Sequence, residues 1–340
     1  MLDTLLFAGI DALREYLALH VLLCLVPAFF LAGAITSLFS KESVLKYFGA
    51  DSPKYVTYPV AAVSGIMLAV CSCTVLPLFA GIYKRGAGIG PAATFLYSAP
   101  AINLLAIVYT AKILGFDIGV ARAVAAIGLS VIIGLTMSVV FHNHETRSGF
   151  KTNSDDRNIR TTIIFILLLA ILVFAGMAAT MLEKAAVILL VLITIVLSWF
   201  WYTSKELKSW MQETWFLVKQ ITPLLFAGVF LAGVIVAVLP GEFVATLVGG
   251  NSLSSNLVSS VSGSLMYFST LTEVPIISAL TKLGMGRGPA LTMLLAGPAL
   301  SLPNMIVISR IMGTKKAGSY IILVIFASLV SGIIFGNLVA

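Results

Sequence analysis

The chain has 340 residues, of which 59% are hydrophobic and only 10% charged, and its mean hydropathy is +1.06. So few charges cannot clothe a water-soluble globule of this size, so the composition describes a polytopic membrane protein. The net charge is +7, but Lys and Arg fall in short loops between apolar runs, where they act as topology signals and lipid-headgroup contacts and not as a nucleic-acid surface.

The apolar stretches are continuous and not alternating, which excludes an outer-membrane barrel and predicts an all-α protein of about ten spans. Residues 1–16 space Asp3, Asp11, Arg14 and Glu15 as an interfacial amphipathic helix would. They lack the basic region and cleavage site of a removable signal peptide. Residues 17–141 carry four spans, about 17–39, 55–83, 89–113 and 120–141. A polar linker, 142–160, precedes an unbroken scaffold hairpin at 161–203 with its turn at Glu183-Lys184. Trp199, Trp201, Tyr202, Trp210 and Trp215 bracket an interfacial linker, 204–220, as an aromatic belt. Residues 221–340 carry the last four spans, about 221–239, 257–281, 289–311 and 317–338.

The two four-span blocks read as repeats. Leu31-Ala32-Gly33 matches Leu231-Ala232-Gly233, and after a two-residue contraction Pro77 matches Pro275, Lys84 matches Lys282, and Gly86, Gly88 and Gly90 match Gly284, Gly286 and Gly288. Pro91 and Pro100 then match Pro289 and Pro298, and Gly134 matches Gly332. Prolines and a Gly-x-Gly-x-Gly-Pro run in register do not arise from chance apolar composition. Six spans separate equivalent helices, which makes the repeats parallel; a re-entrant hairpin helix would invert them.

Two polar interruptions sit at corresponding places: Cys71-Ser72-Cys73-Thr74-Val75-Leu76-Pro77 and Ser269-Thr270-Leu271-Thr272-Glu273-Val274-Pro275. Pro77, Pro100, Pro275 and Pro298 each remove a backbone donor and free the carbonyl four residues earlier. In hydrocarbon such groups survive only where protein or a water-filled cavity meets them, so paired broken helices point to a substrate site at the bilayer midplane. Ser98 and Asn103 flank the break at Pro100, and Ser301 and Asn304 the one at Pro298.

Cys71 and Cys73 share a face only on unwound backbone, where they could grip one ligand; buried cysteine also serves as a small hydrophobe. Cys24 reads as packing. Glu273 is the sharpest single residue, because a carboxylate near the bilayer centre costs on the order of 2.5 to 3.5 kcal/mol. It must face an aqueous cavity, pair with a cation, take up a proton, or bond freed backbone. His20, His142 and His144 lack ligand spacing, so no metal is expected, and no nucleotide-binding loop supplies ATP hydrolysis.

Cys71-Ser72-Cys73-Thr74 with Pro77, Tyr97-Ser98-Ala99-Pro100-Ala101-Ile102-Asn103, and Thr272-Glu273-Val274-Pro275 together resemble the YraQ-type predicted permeases, which include organoarsenical efflux permeases. The resemblance spans both repeats and implies export across a prokaryotic cell membrane, with trivalent methylated arsenicals as a substrate class.

The resulting expectation is a secondary transporter and not an enzyme, without cofactor, in the inner membrane with both termini cytoplasmic. Cys71, Ser72, Cys73, Thr74, Ser98, Asn103, Thr272 and Asn304 would contact a small-molecule substrate, and Glu273 would carry a proton. The partners expected are that substrate and the lipid bilayer, not nucleic acid. A passive channel is the alternative; a thiol oxidoreductase is a third, disfavoured because a Cys-x-Cys disulfide is strained.

Overall fold

The computed structural model describes residues 2–16, 26–38, 53–68, 72–84, 86–141, 157–177, 181–238, 247–266 and 273–339. Among these residues every regular element is a helix. In order they are α1 (Leu2–Tyr16), α2 (Val26–Ser37), α3 (Lys54–Leu68), α4 (Ser72–Lys84), α5 (Ile89–Ala101), α6 (Leu104–Ile113) and α7 (Phe116–Val140). Then come α8 (Arg157–Met177), α9 (Met181–Trp201), α10 (Ser204–Val238), α11 (Leu253–Leu265), α12 (Glu273–Lys282), α13 (Arg287–Leu300), α14 (Leu302–Met312) and α15 (Thr314–Leu338).

Two of the described helices, α7 and α15, are long and apolar enough to cross a membrane, and the count rises to four if the bent pairs α5–α6 and α13–α14 are each one span. The bends are 45° and 46°, and both follow a proline in the last turn of the preceding helix, Pro100 and Pro298. Large apolar side chains lie exposed along the outside of α7 (Val120, Val124, Ile127), α9 (Leu192, Ile195) and α15 (Ile322, Phe326). Apolar surface on this scale, with no polar cover, is the surface of a protein solvated by lipid.

The buried core runs through α5, α7, α13 and α15. Helix α5 packs on α3 and α7, and α13 packs on α11 and α15; across the middle α5 meets α13 and α7 meets α15. Close approach depends on small residues. A Cβ on Gly134 would run into Thr94 Oγ1 and come within 2.8 Å of the Gly90 carbonyl, and one on Gly332 into Thr292 Oγ1 and within 2.7 Å of the Gly288 carbonyl. The ends of α4 and α12 are closed alike. Gly86 (φ 95°) and Gly284 (φ 108°) occupy the left-handed region. The following amides, Ala87 and Met285, donate back to Ile82 (3.1 Å) and Leu280 (3.0 Å), which is the glycine-terminated helix end.

Several boundaries differ from the sequence reading. The segment 204–220, expected as a linker, is continuous with 221–238 in α10, a helix of 35 residues, about 52 Å long. Its charges hid a helix whose inner face is apolar. Trp210 is buried and donates from Nε1 to the Phe30 carbonyl at 2.8 Å, and Tyr202 is likewise turned inward, with its hydroxyl donating to Thr161 Oγ1 at 3.3 Å. Only Trp199 and Trp215 of the expected belt lie largely exposed; a buried indole needs a partner for its N–H, and Phe30 supplies one. The backbone at Glu183 and Lys184 is helical, inside the first turn of α9, so the expected turn does not lie at these two residues. The N-terminal helix α1 packs along α10, with Gly9 against the Phe230 ring.

Candidate functional site

Glu273 is the first residue of α12, where the helix dipole favours a carboxylate. It is 1% exposed. Its Oε2 lies 3.3 Å from an Nη of Arg122, which is itself fully buried on α7. The other Nη of Arg122 donates to Thr110 Oγ1 at 2.9 Å, and the Thr110 hydroxyl spends its own proton on the Ala106 carbonyl at 2.6 Å. Thr110 is thereby held as an acceptor, and it orients the guanidinium toward Glu273. Two atoms of the pair, Arg122 Nε and Glu273 Oε1, have no hydrogen-bond partner among the described residues.

Two further elements, α5 and α13, come close to the pair. Tyr97 of α5 is fully buried within electrostatic reach of Arg122 and of Tyr320 on α15, and its hydroxyl points to the Leu295 carbonyl of α13 at 3.5 Å. Gly297 of α13 faces the carboxylate; a Cβ there would stand 2.9 Å from Oε1. One turn on, the Ser301 amide donates to the Gly297 carbonyl at 3.3 Å. Ser301 Oγ, Asn304 Oδ1 and Tyr320 Oη are buried without a partner among the described residues.

Of the candidate substrate and proton-coupling residues among those described, Glu273 is the one brought to an oppositely charged group, and the cation-pairing branch of its expectation is what the fold displays. Thr74 is buried in α4. Ser98 is buried with its hydroxyl on the Phe95 (3.3 Å) and Ala61 (3.4 Å) carbonyls, which turns it toward α3. Asn103 sits between α5 and α6, and its Oδ1 accepts from the Ala106 amide at 3.4 Å. Asn304 lies in the first turn of α14. Ser72 and Cys73 open α4; Cys24, Cys71, Thr272 and the three histidines lie outside the described residues.

The prolines divide by position. Pro77 is inside α4, Pro100 inside α5 and Pro298 inside α13. Pro275 is the third described residue of α12, where its missing N–H costs no bond to the described helix. On the other side of the interruption, the chain leaves α11 at Met266 in extended backbone, φ −78° and ψ 146°.

Arg122 was missed by the sequence reading, which counted it with the loop charges at the edge of a span. The signal was present, since it is flanked as Val120-Ala121-Arg122-Ala123-Val124, and an arginine within an apolar span needs a partner. Lys84 and Arg287, read as topology signals, also do more. Lys84 Nζ sits 3.9 Å above the Phe216 ring and 3.9 Å from Glu213, and Arg287 pairs with Asp117 at 2.6 Å.

The profile of the family described as "Predicted permease", ArsP_1, matches residues 6–337. The UPF0718 protein MJ0584 of Methanocaldococcus jannaschii is 47% identical, the match covering 96% of this chain and 94% of that protein. The UPF0718 protein YraQ of Escherichia coli K12 is 25% identical over 79% of this chain and 63% of its own length. No solved structure shows a significant match. The chain belongs to this predicted permease family.

Proposed function

We propose that this member of the predicted permease family is a secondary-active exporter in the cell membrane, with both termini cytoplasmic and its site between two repeats near the midplane. Its substrate is a small thiol-reactive or organic solute, and trivalent methylated arsenicals are the class favoured by Cys71 and Cys73. A methylarsenic(III) centre has two exchangeable positions for two thiolates and an apolar methyl group. The observation that carries the reading is the buried Arg122–Glu273 pair, 151 residues apart in sequence, which joins the two halves. Burying two charges costs several kcal/mol per ion before their attraction repays it, and intramembrane ionisable pairs mark substrate and proton routes.

In this reading Glu273 carries the proton. Protonation cancels its charge and releases Arg122, the charged group that faces it, so one proton biases α7 and α12 between two arrangements. Support for two repeats comes from the paired local geometry: Gly86 with Gly284, Gly115 (φ 116°) with Gly313 (φ 86°), and the two bends of 45° and 46°. Tyr97 and Leu295, which correspond in the repeat register and are 198 residues apart, meet at the middle, as equivalent positions do beside a twofold axis. A rocking motion of one half against the other then gives alternating access.

The test is uptake of methylarsenite into everted membrane vesicles, with and without a proton gradient. Gradient-driven accumulation is expected for the wild type and its loss for Cys71→Ser/Cys73→Ser and for Glu273→Gln. Wild-type vesicles that only equilibrate would identify a passive channel, and wild-type vesicles that take up nothing would overturn the arsenical assignment.

A further inference from the structure

The geometry around Arg122 narrows what the site can hold. Both Nη groups of Arg122 are engaged, by Thr110 and by Glu273 Oε2. Each Nη makes one contact of the five N–H bonds a guanidinium can give; the atoms of the pair that make none are the donor Arg122 Nε and the carboxylate acceptor Glu273 Oε1, both buried and unpartnered among the described residues. Taken together the pair is charge-balanced. An anion reaching Nε would meet the carboxylate beside it, and a cation reaching Oε1 would meet the guanidinium. In a low-dielectric interior either repulsion outweighs one added hydrogen bond.

A neutral group with both a lone pair and an O–H suits both atoms at once. Room for it depends on Gly297, because any side chain there would press on Oε1. The buried Ser301 Oγ, Asn304 Oδ1 and Tyr320 Oη are further unpartnered polar atoms on the elements flanking that glycine and on α15. Tyr320 stands where the repeat register would put a second Arg122 and Val75 where it would put a second Glu273, so the site exists once.

We infer that the Arg122–Glu273 pair binds a small uncharged, hydroxyl-bearing solute, an undissociated oxyacid or a hydroxylated electron-poor centre, whose oxygen accepts from Arg122 Nε and whose O–H donates to Glu273 Oε1. This rests on the permease reading and names the substrate class of its site.

Binding, not transport, is the test, so that its outcome is separate from the vesicle assay. Full-length protein in nanodiscs is dialysed to equilibrium at pH 7 against boric acid, an uncharged trihydroxide that does not depend on thiols, with formate as the anionic competitor. The wild type is expected to bind one equivalent of boric acid, with formate unable to displace it. Glu273→Gln is expected to weaken boric acid binding at least tenfold and to gain binding of formate, since Arg122 is then unbalanced; a purely structural pair would give no such exchange. The charge-balanced Arg122→Gln/Glu273→Gln variant keeps the test in hand if the single variant does not fold, and is expected to weaken boric acid at least tenfold without gaining formate. Wild-type affinity in that double variant, formate displacing boric acid from the wild type, or no boric acid bound would each overturn the inference. Absence of binding alongside normal gradient-driven accumulation would remove this inference and leave the exporter reading standing.

Discussion

Arg122 and Glu273 are each affordable only in the presence of the other. Removing one partner of a buried pair leaves an uncompensated charge and costs about 3 to 5 kcal/mol, whereas removing both together costs far less. Arg122→Gln is therefore expected to lower the unfolding midpoint in detergent sharply, and Arg122→Gln/Glu273→Gln to recover most of that loss. Additive losses in this double-mutant cycle would show that the two side chains do not interact. Thr110→Val should act on the same pair by a milder route, removing the acceptor that aims the guanidinium; a loss of about 1 to 3 kcal/mol is expected, read by the same melting curve.

At the scale of elements, the contact of α5 with α7 and of α13 with α15 is set by backbone approach at Gly134 and Gly332. Gly134→Ala is expected to separate α5 from α7 and to cost about 1 to 3 kcal/mol, as overpacking does. The added methyl would meet Thr94 Oγ1 and, at 2.8 Å, the Gly90 carbonyl, so Thr94→Ala should rescue it only in part. Equal stability of Gly134→Ala and wild type would mean that the helices are not in close contact there. In the second half, Thr292 Oγ1 donates to Asn256 Oδ1 at 2.8 Å, and Asn256 Nδ2 in turn donates to Asn251 Oδ1 at 3.0 Å. Tyr58 packs against Gly90 and Gly134 where Asn256 packs against Gly332 in the other half. Similar helix pairs are thus wedged by different side chains.

For the whole molecule, two ion pairs among the described residues cross between the halves from the N-terminal part of α7: Arg122–Glu273 inside and Asp117–Arg287 at the surface. Rocking of the halves should strain the outer pair. Asp117→Cys/Arg287→Cys, bridged by a reducible bis-methanethiosulfonate cross-linker long enough to span the lost side chains, is expected to stop methylarsenite accumulation in everted vesicles, with activity returning on reduction. A cross-linked protein that transports at the wild-type rate would rule out movement at this end.

The sequence by itself determined that the chain is helical and lipid-solvated, because hydropathy is a local property that every residue reports independently. It also located Pro100 and Pro298 ahead of the two bends and Gly86 and Gly284 at the turns, since proline and glycine act on their own backbone. It singled out Glu273, because a lone carboxylate in an apolar run is costly wherever it packs. The tertiary structure alone decided which cation meets it. Arg122 sits near the edge of its own span and looked like a loop charge; only the packing of α7 on α6, and of α6 on α12, carries it inside. Likewise the charges of 204–220 concealed a continuous helix, and Trp210 and Tyr202 turned inward because partners for their polar atoms, Phe30 and Thr161, were waiting on other helices. Pairings of this kind depend on distance in space, which spacing along one chain does not encode.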